Sequence, residues 1–142
     1  MSENRLFDLF VIGAGPGGYT AALLAARRGL RVGISEGSHC GGTCTNRGCI
    51  PAKSYIESIR LMAQMKNAER FGIDPVPVAA TLEHLQKRKT RIVTRLVKGI
   101  EYLLAQAGVA VFSAKAGFLG ENVLQVGGDR VKIGRASCRE RV

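Results

Sequence analysis

LFDLFVIGAGPGGYTAALLAARRG, residues Leu6 to Gly29, is the stretch on which the fold turns. Leu6 to Ile12 is an apolar run ended by glycine, the pattern of a strand buried on both faces of a parallel sheet. Gly13 to Gly18 reads as a tight turn. Tyr19 to Arg28 then reads as a helix whose Ala21, Ala22, Ala25 and Ala26 leave little bulk, so that it can lie close against a sheet. Arg27, Arg28 and Gly29 close that helix. Leu30 to Glu36 supplies a second strand and completes a βαβ unit of about 30 residues. Gly13, Gly15 and Gly18 thus match G-x-G-x-x-G in the setting the motif requires. Gly13 permits the sharp turn, Gly15 lets backbone approach a pyrophosphate, and Gly18 lets helix and strand pack closely. Phosphates would sit against the amides at the helix N-terminus, where the dipole favours negative charge. Glu36 stands where ribose hydroxyls would bind, and a carboxylate there disfavours a 2′-phosphorylated nucleotide. The glycines do not separate FAD from NAD, since both present adenosine diphosphate.

The next informative stretch is GGTCTNRGCIPAKS, Gly41 to Ser54, which places Cys44 and Cys49 with four residues between them. A disulfide needs Cα atoms about 4.4–6.8 Å from one another. Residues five apart on a regular helix are rotated too far around the axis to meet this comfortably. Gly48 relaxes the backbone and Pro51 cannot donate to the carbonyl of Arg47, so the first helical turn can be irregular enough to close a bridge. A helix N-terminus should also lower the thiol pKa and favour exchange. On these grounds the pair is a reversible redox disulfide. Inert buried thiols fit a glycine-rich setting poorly, and a thioredoxin-type motif needs two intervening residues. Cys40, Cys44 and Cys49 with His39 do not form two ligand pairs at zinc-finger spacing, so no metal site is expected. His39 and Cys40 are read as loop residues without chemistry.

Further along, a second helix is expected from Thr43 or Cys44 to about Arg70, with Ile56, Ile59, Leu61, Met62 and Met65 at its apolar positions. Phe71 to Pro77 reads as a turn. A third helix is expected from Val78 or Thr81 to about Ala107, with Leu82, Leu85, Ile92, Leu96, Ile100 and Leu103 or Leu104 recurring every three or four residues. Val109 to Phe112, Gly117 to Leu119 and Val123 to Val126 read as short strands. IGRASCRERV, Ile133 to Val142, lacks this periodicity and resembles one reading frame of a common sequencing adapter. The expected division is therefore 1–132, the N-terminal part of a nucleotide-binding domain, and 133–142, a non-native tail.

Bulk properties narrow the class. At 142 residues the chain can bury one core, and 46% apolar with 23% charged residues excludes wholesale disorder. No apolar run approaches the ~20 residues of a membrane helix. Glu3 and Asp8 interrupt any targeting peptide, so a cytoplasmic protein is expected, with no membrane partner. The net charge of +10 raises nucleic-acid binding, but the charges are scattered. The densest run, Lys87, Arg88, Lys89, Arg91 and Arg95, lacks interleaved aromatics and reads as a solvated helix face, so no nucleic-acid partner is expected.

With these motifs in place the chain resembles the flavoprotein disulfide reductases from about Arg5 to Val131. GGTCTNRGCIPAK carries most of that resemblance, and Ile50 and Ala52 lean towards the lipoamide dehydrogenase branch rather than the glutathione or mercuric reductases. The resemblance implies an α/β, Rossmann-like FAD-binding domain with a parallel sheet and a small β-meander, truncated at its C-terminal side. It implies FAD at Gly13, Gly15, Pro16, Gly18 and Glu36, with Gly42 and Thr43 at the pyrophosphate. Cys44 would exchange with a dihydrolipoyl group or another small dithiol or disulfide. Cys49 would lie against the isoalloxazine as the charge-transfer thiolate, with Lys53 near the flavin N5 edge. Ala114 would make the backbone contact to adenine that relatives usually make through glycine. NAD would be the co-substrate of a complete homodimeric enzyme, and a fragment alone would either be inactive or only bind FAD. The His–Glu acid–base pair of that family matches neither His39 nor His84.

Overall fold

Strand β1 (Leu6–Ile12) and strand β2 (Val32–Ser35) flank helix α1 (Pro16–Arg27) in a computed structural model that describes residues 6–74 and 77–138. Helices α2 (Gly42–Asn46) and α3 (Cys49–Lys66) follow, then a 3₁₀ turn at Ala68–Phe71 and the long helix α4 (Leu82–Gln106). Strands β3 (Ala110–Phe112), β4 (Ala116–Gly120), β5 (Val123–Val126) and β6 (Asp129–Cys138) complete the chain. One sheet holds all six strands in the order β3-β2-β1-β6-β5-β4. The β2–β3, β1–β2 and β1–β6 pairs are parallel, while β4, β5 and β6 form an antiparallel meander. The architecture is the expected α/β one, a mostly parallel Rossmann-like sheet with a meander at one side.

Two apolar clusters hold it. Val11, Val32 and Ile34 of the sheet meet Ala22 and Ala25 of α1 and Ile100 and Leu104 of α4. The second cluster joins Phe7 and Phe10 to Leu124, Val126, Val131 and Ile133 of the meander. Phe10 is wholly buried, and a β-carbon on Gly33 would stand 2.6 Å from its ring, so the glycine in β2 makes the space the ring fills.

Helix α1 begins at Pro16, three residues before the sequence suggested, because proline is preset for the first helical position. The long second helix expected from Thr43 to Arg70 is instead two helices, parted at Arg47 and Gly48. Gly48, with φ −115° and ψ −107°, leaves helical space there, and Pro51 sits in the first turn of α3, where its missing N–H costs nothing. The apolar positions assigned to that segment do not form a core stripe: Ile56, Ile59, Leu61 and Met65 are exposed. On α4 the pattern holds only near the C-terminal end, where Ile100 and Leu104 are buried, while Leu82, Leu96 and Leu103 are exposed. Thr81 caps α4, its hydroxyl accepting from the His84 amide at 3.2 Å, and His84 itself is exposed.

Beyond Lys132, where the sequence suggested a boundary, β6 continues beside β1 as far as the Ile12–Cys138 pairing. Backbone amides and carbonyls make such a ladder, so it forms without side-chain periodicity. Pro75 and Val76 of the expected turn, and residues 139–142 of the expected tail, lie outside the described residues. Among the described residues no helix is long and apolar enough to cross a membrane.

Candidate nucleotide and thiol site

The cavity opens beyond the C-terminal ends of the parallel strands, where open α/β sheets bind ligands. It has a volume of about 640 Å³, and its walls include Gly13, Gly15, Pro16, Glu36, Gly42, Thr43, Cys44 and Ala114. Gly13 turns with φ +96°, a conformation open to glycine. Gly18 lies outside the cavity wall and serves packing, since a β-carbon there would fall 1.9 Å from the Gly13 carbonyl oxygen. Gly15 differs: nothing lies within 4 Å of the place its β-carbon would take. That open space faces the N-terminus of α1, which no side chain caps and whose first turn carries no acidic residue. Uncapped amides beside open space suit a phosphate group.

The second glycine pair closes onto the first. The Gly41 amide donates to the Ala14 carbonyl at 2.8 Å, and a β-carbon on Gly42 would stand 2.8 Å from the Gly15 Cα. Asn46 holds this loop in shape, its Nδ2 donating to the carbonyls of Gly42 at 2.9 Å and Cys40 at 3.0 Å. Both oxygens of Glu36 are engaged, one by the Ala14 amide and the other by the Ser38 amide, each at 3.1 Å. Glu36 therefore orders the glycine turn as well as facing the cavity, and a carboxylate retains lone pairs for ribose hydroxyls. Asn46 and Lys115 went unassigned in the sequence. The Lys115 stem lies along Gly37 at the cavity wall, a placement that no local motif announces.

Cys44 and Cys49 are free thiols, half-buried and exposed respectively, and Cys49 lies beside Cys44: a β-carbon on the intervening Gly48 would stand 3.5 Å from the Cys44 Cα. That neighbour raises the Cys44 pKa above the usual thiol range. The hydrogen bond to Cys49 is the largest cause, followed by burial and by repulsion from charge on the Cys49 sulfur, with Lys53 pulling the other way. The lowering expected from helix position is thus overturned for Cys44, because a second thiol outweighs it. Cys49 opens α3, and Lys53 is exposed one turn further along; neither is in the cavity wall. Cys40 is a loop residue, as expected, and its side chain is buried in the core with Ala14 and Ile100. Burial, then Glu101 and Glu36, push its thiol up. His39 is exposed at the cavity wall. Among the described residues no cluster of three or more His, Cys, Asp or Glu side chains could hold a metal ion.

The family model for pyridine nucleotide-disulphide oxidoreductases matches residues 7–136. The chain belongs to this family. It is 35% identical over 133 residues to a dihydrolipoyl dehydrogenase of Chlamydia muridarum, covering 94% of this chain and 29% of that protein. A dihydrolipoyl dehydrogenase of Bacillus subtilis is 39% identical over 126 residues, 87% of this chain and 28% of its own length. One from Chlorobaculum tepidum is 42% identical over 114 residues, covering 80% of this chain and 24% of that protein. The chain therefore spans less than a third of the length of these curated relatives.

Proposed function

We propose that this chain is the FAD-binding, disulfide-bearing part of a dihydrolipoyl dehydrogenase. The observation that carries the proposal is the adjacency of Cys44 and Cys49, with Cys44 in the wall of the cavity that Gly13, Gly15 and Glu36 line. The cavity residues fit FAD. Gly13, Gly15, Pro16, Gly42 and Thr43 would hold the pyrophosphate, Glu36 the ribose and Ala114 the adenine side, with Gly18 keeping the turn closed. Lys53 would approach the flavin from α3. When bound, FAD supplies a two-electron acceptor for the thiol pair.

The chain's own chemistry is thiol–disulfide exchange. With Cys44 and Cys49 joined, a thiolate of a dihydrolipoyl group attacks the Cys44 sulfur, breaking the Cys44–Cys49 bond and releasing Cys49 as a thiolate. The second substrate thiol, deprotonated, then displaces Cys44 and closes the lipoyl disulfide. Two electrons pass to the protein pair, and the substrate loses two protons. Lys53, whose charge reaches Cys44, supplies positive charge beside the pair. NAD is the acceptor proposed for the complete protein, a homodimer in the cytoplasm.

Oxidised lipoamide added to the chain tests the exchange without any cofactor. Peptide mapping should find one intramolecular bridge, Cys44 to Cys49, absent from Cys44→Ser and Cys49→Ser. Persistence of both thiols, or a bridge through Cys40, would rule the proposal out. Turnover of dihydrolipoamide rather than glutathione by the complete protein tests the substrate. The foreign origin proposed for residues 133–142 is tested by the contiguous gene sequence after Lys132.

A further inference from the structure

Helix α3 carries Cys49 at its first position and Lys53 one turn on, yet among its 18 residues Ser54 alone is buried, at 6% exposure. Its large apolar side chains Ile56, Ile59, Leu61 and Met65 are exposed, so apolar burial does little to fix where the helix sits. The buried residue is polar, and its partner comes from α4. Arg88 donates through Nη1 to the Ser54 carbonyl at 3.0 Å and to the Ser54 hydroxyl at 2.9 Å. The Ser58 hydroxyl donates to the same carbonyl at 3.1 Å. A guanidinium is planar and permanently charged, so bonds of this kind are directional and stronger than neutral ones. Arg88 belongs to the cationic run that the sequence assigned to a solvated face, yet it is half-buried against Ser54.

We propose that Arg88 is a positioning residue for the thiol pair. By holding Ser54 it sets the level of α3 along α4, and with it the places of Cys49 and Lys53 relative to Cys44. Cys44 is held independently, on α2, through Asn46 and through the Gly41–Ala14 bond. A shift of α3 therefore changes the separation of the two sulfurs. The inference rests on the proposed exchange reaction and adds the residue that sets its geometry.

Equilibrating the full chain with glutathione buffers measures that separation as an equilibrium constant. One oxidised glutathione takes two electrons and two protons from the Cys44 and Cys49 thiols, giving the Cys44–Cys49 bond and two reduced glutathiones. Arg88→Ala should lower the constant about tenfold, the scale of a lost charge-assisted hydrogen bond. Ser54→Ala, which keeps the carbonyl acceptor, should lower it about threefold. Leu124→Ala, in the meander core, should reduce stability and leave the constant unchanged. An unchanged constant in Arg88→Ala overturns the proposal, as does an equal fall in Leu124→Ala. Should Arg88→Ala not fold, Arg88→Lys and Ser54→Ala decide it: a fall in either supports the role, and no change in both overturns it. Absence of any Cys44–Cys49 bridge in the unsubstituted chain overturns this proposal and the exchange reaction together. A normal bridge that ignores Arg88 overturns the positioning role alone.

Discussion

Between β1 and β2 the chain is fixed by backbone and core, with Gly18 pressed on the Gly13 carbonyl and Phe10 and Ile34 fully buried, whereas α3, bearing Cys49 and Lys53, buries Ser54 alone. The first region presents amides and open space to a large rigid ligand, and its shape follows from where a β-carbon can and cannot stand. The second region carries the exchanging sulfur on a helix held by polar joints. Nucleotide binding should therefore fail through steric change, and thiol chemistry through loss of single hydrogen bonds or charges.

The sharpest break is between two glycines three residues apart. Gly18→Ala should cost about 3 kcal/mol or more, because the atom in the way is a backbone oxygen that cannot rotate aside. Gly15→Ala should change stability by less than about 0.5 kcal/mol, since its φ of −68° suits alanine and its surroundings are open. Its methyl group would enter the cavity, so affinity for adenosine diphosphate should fall by about tenfold or more. Denaturant midpoints and calorimetric titration separate the two effects. Equal stability losses would erase the distinction between a packing glycine and a cavity glycine.

Asn46 stands at the border of the two regions. Asn46→Ala removes its bonds to the Cys40 and Gly42 carbonyls and should cost about 1–2 kcal/mol in chemical unfolding. Asn46→Asp keeps the shape but not the donor, and should cost at least as much. Rescue by aspartate would mean that packing, not donation, holds the loop.

These differences explain what was legible in the sequence. Gly13, Gly15 and Gly18 could be assigned because each meets a backbone requirement independent of distant residues. The strand positions followed from apolar runs for the same reason. The break at Arg47 and Gly48 was obscured because helical residues continue on both sides, and only the local dihedrals of Gly48 interrupt them. The exposure of Ile56, Ile59 and Leu61 was equally hidden: periodicity marks a face, but not whether anything covers it. Arg88 and Lys115 act on residues 34 and 78 positions away, a separation that no local pattern encodes. Strand β6 escaped detection past Lys132 because its pairing needs only backbone.

A smaller effect tests the thiol region through pH. Cys49→Ala removes the largest cause of the raised Cys44 pKa, so alkylation of Cys44 should set in at lower pH than in the unsubstituted chain. Lys53→Met removes the opposing cation and should move the same profile to higher pH. Trypsin cleavage at Arg47 places the two cysteines on separate peptides, so each rate can be read by mass spectrometry. Shifts of the same sign in both variants would contradict the assignment of causes.

The smallest effect concerns Cys40, four residues before Cys44 and on the other side of the divide. Both thiols are pushed up, but Cys44 by a neighbouring thiol and Cys40 by burial, with Glu101 and Glu36 adding repulsion. For Cys40 the folded state holds the proton more tightly than the unfolded chain does. Its contribution to stability is complete below the unfolded thiol value, near pH 8.5, and is lost as pH rises through the higher folded value. The unfolding midpoint should therefore decline above about pH 8.5, and Cys40→Ala should flatten that decline while lowering the neutral-pH baseline slightly. Cys44→Ala should flatten it less, because Cys44 is only half-buried and solvent screens its neighbours. Identical alkaline slopes in Cys40→Ala and the unsubstituted chain would show that Cys40 is not held by the core, and the boundary between the two regions would then fall before Cys40 instead of after it.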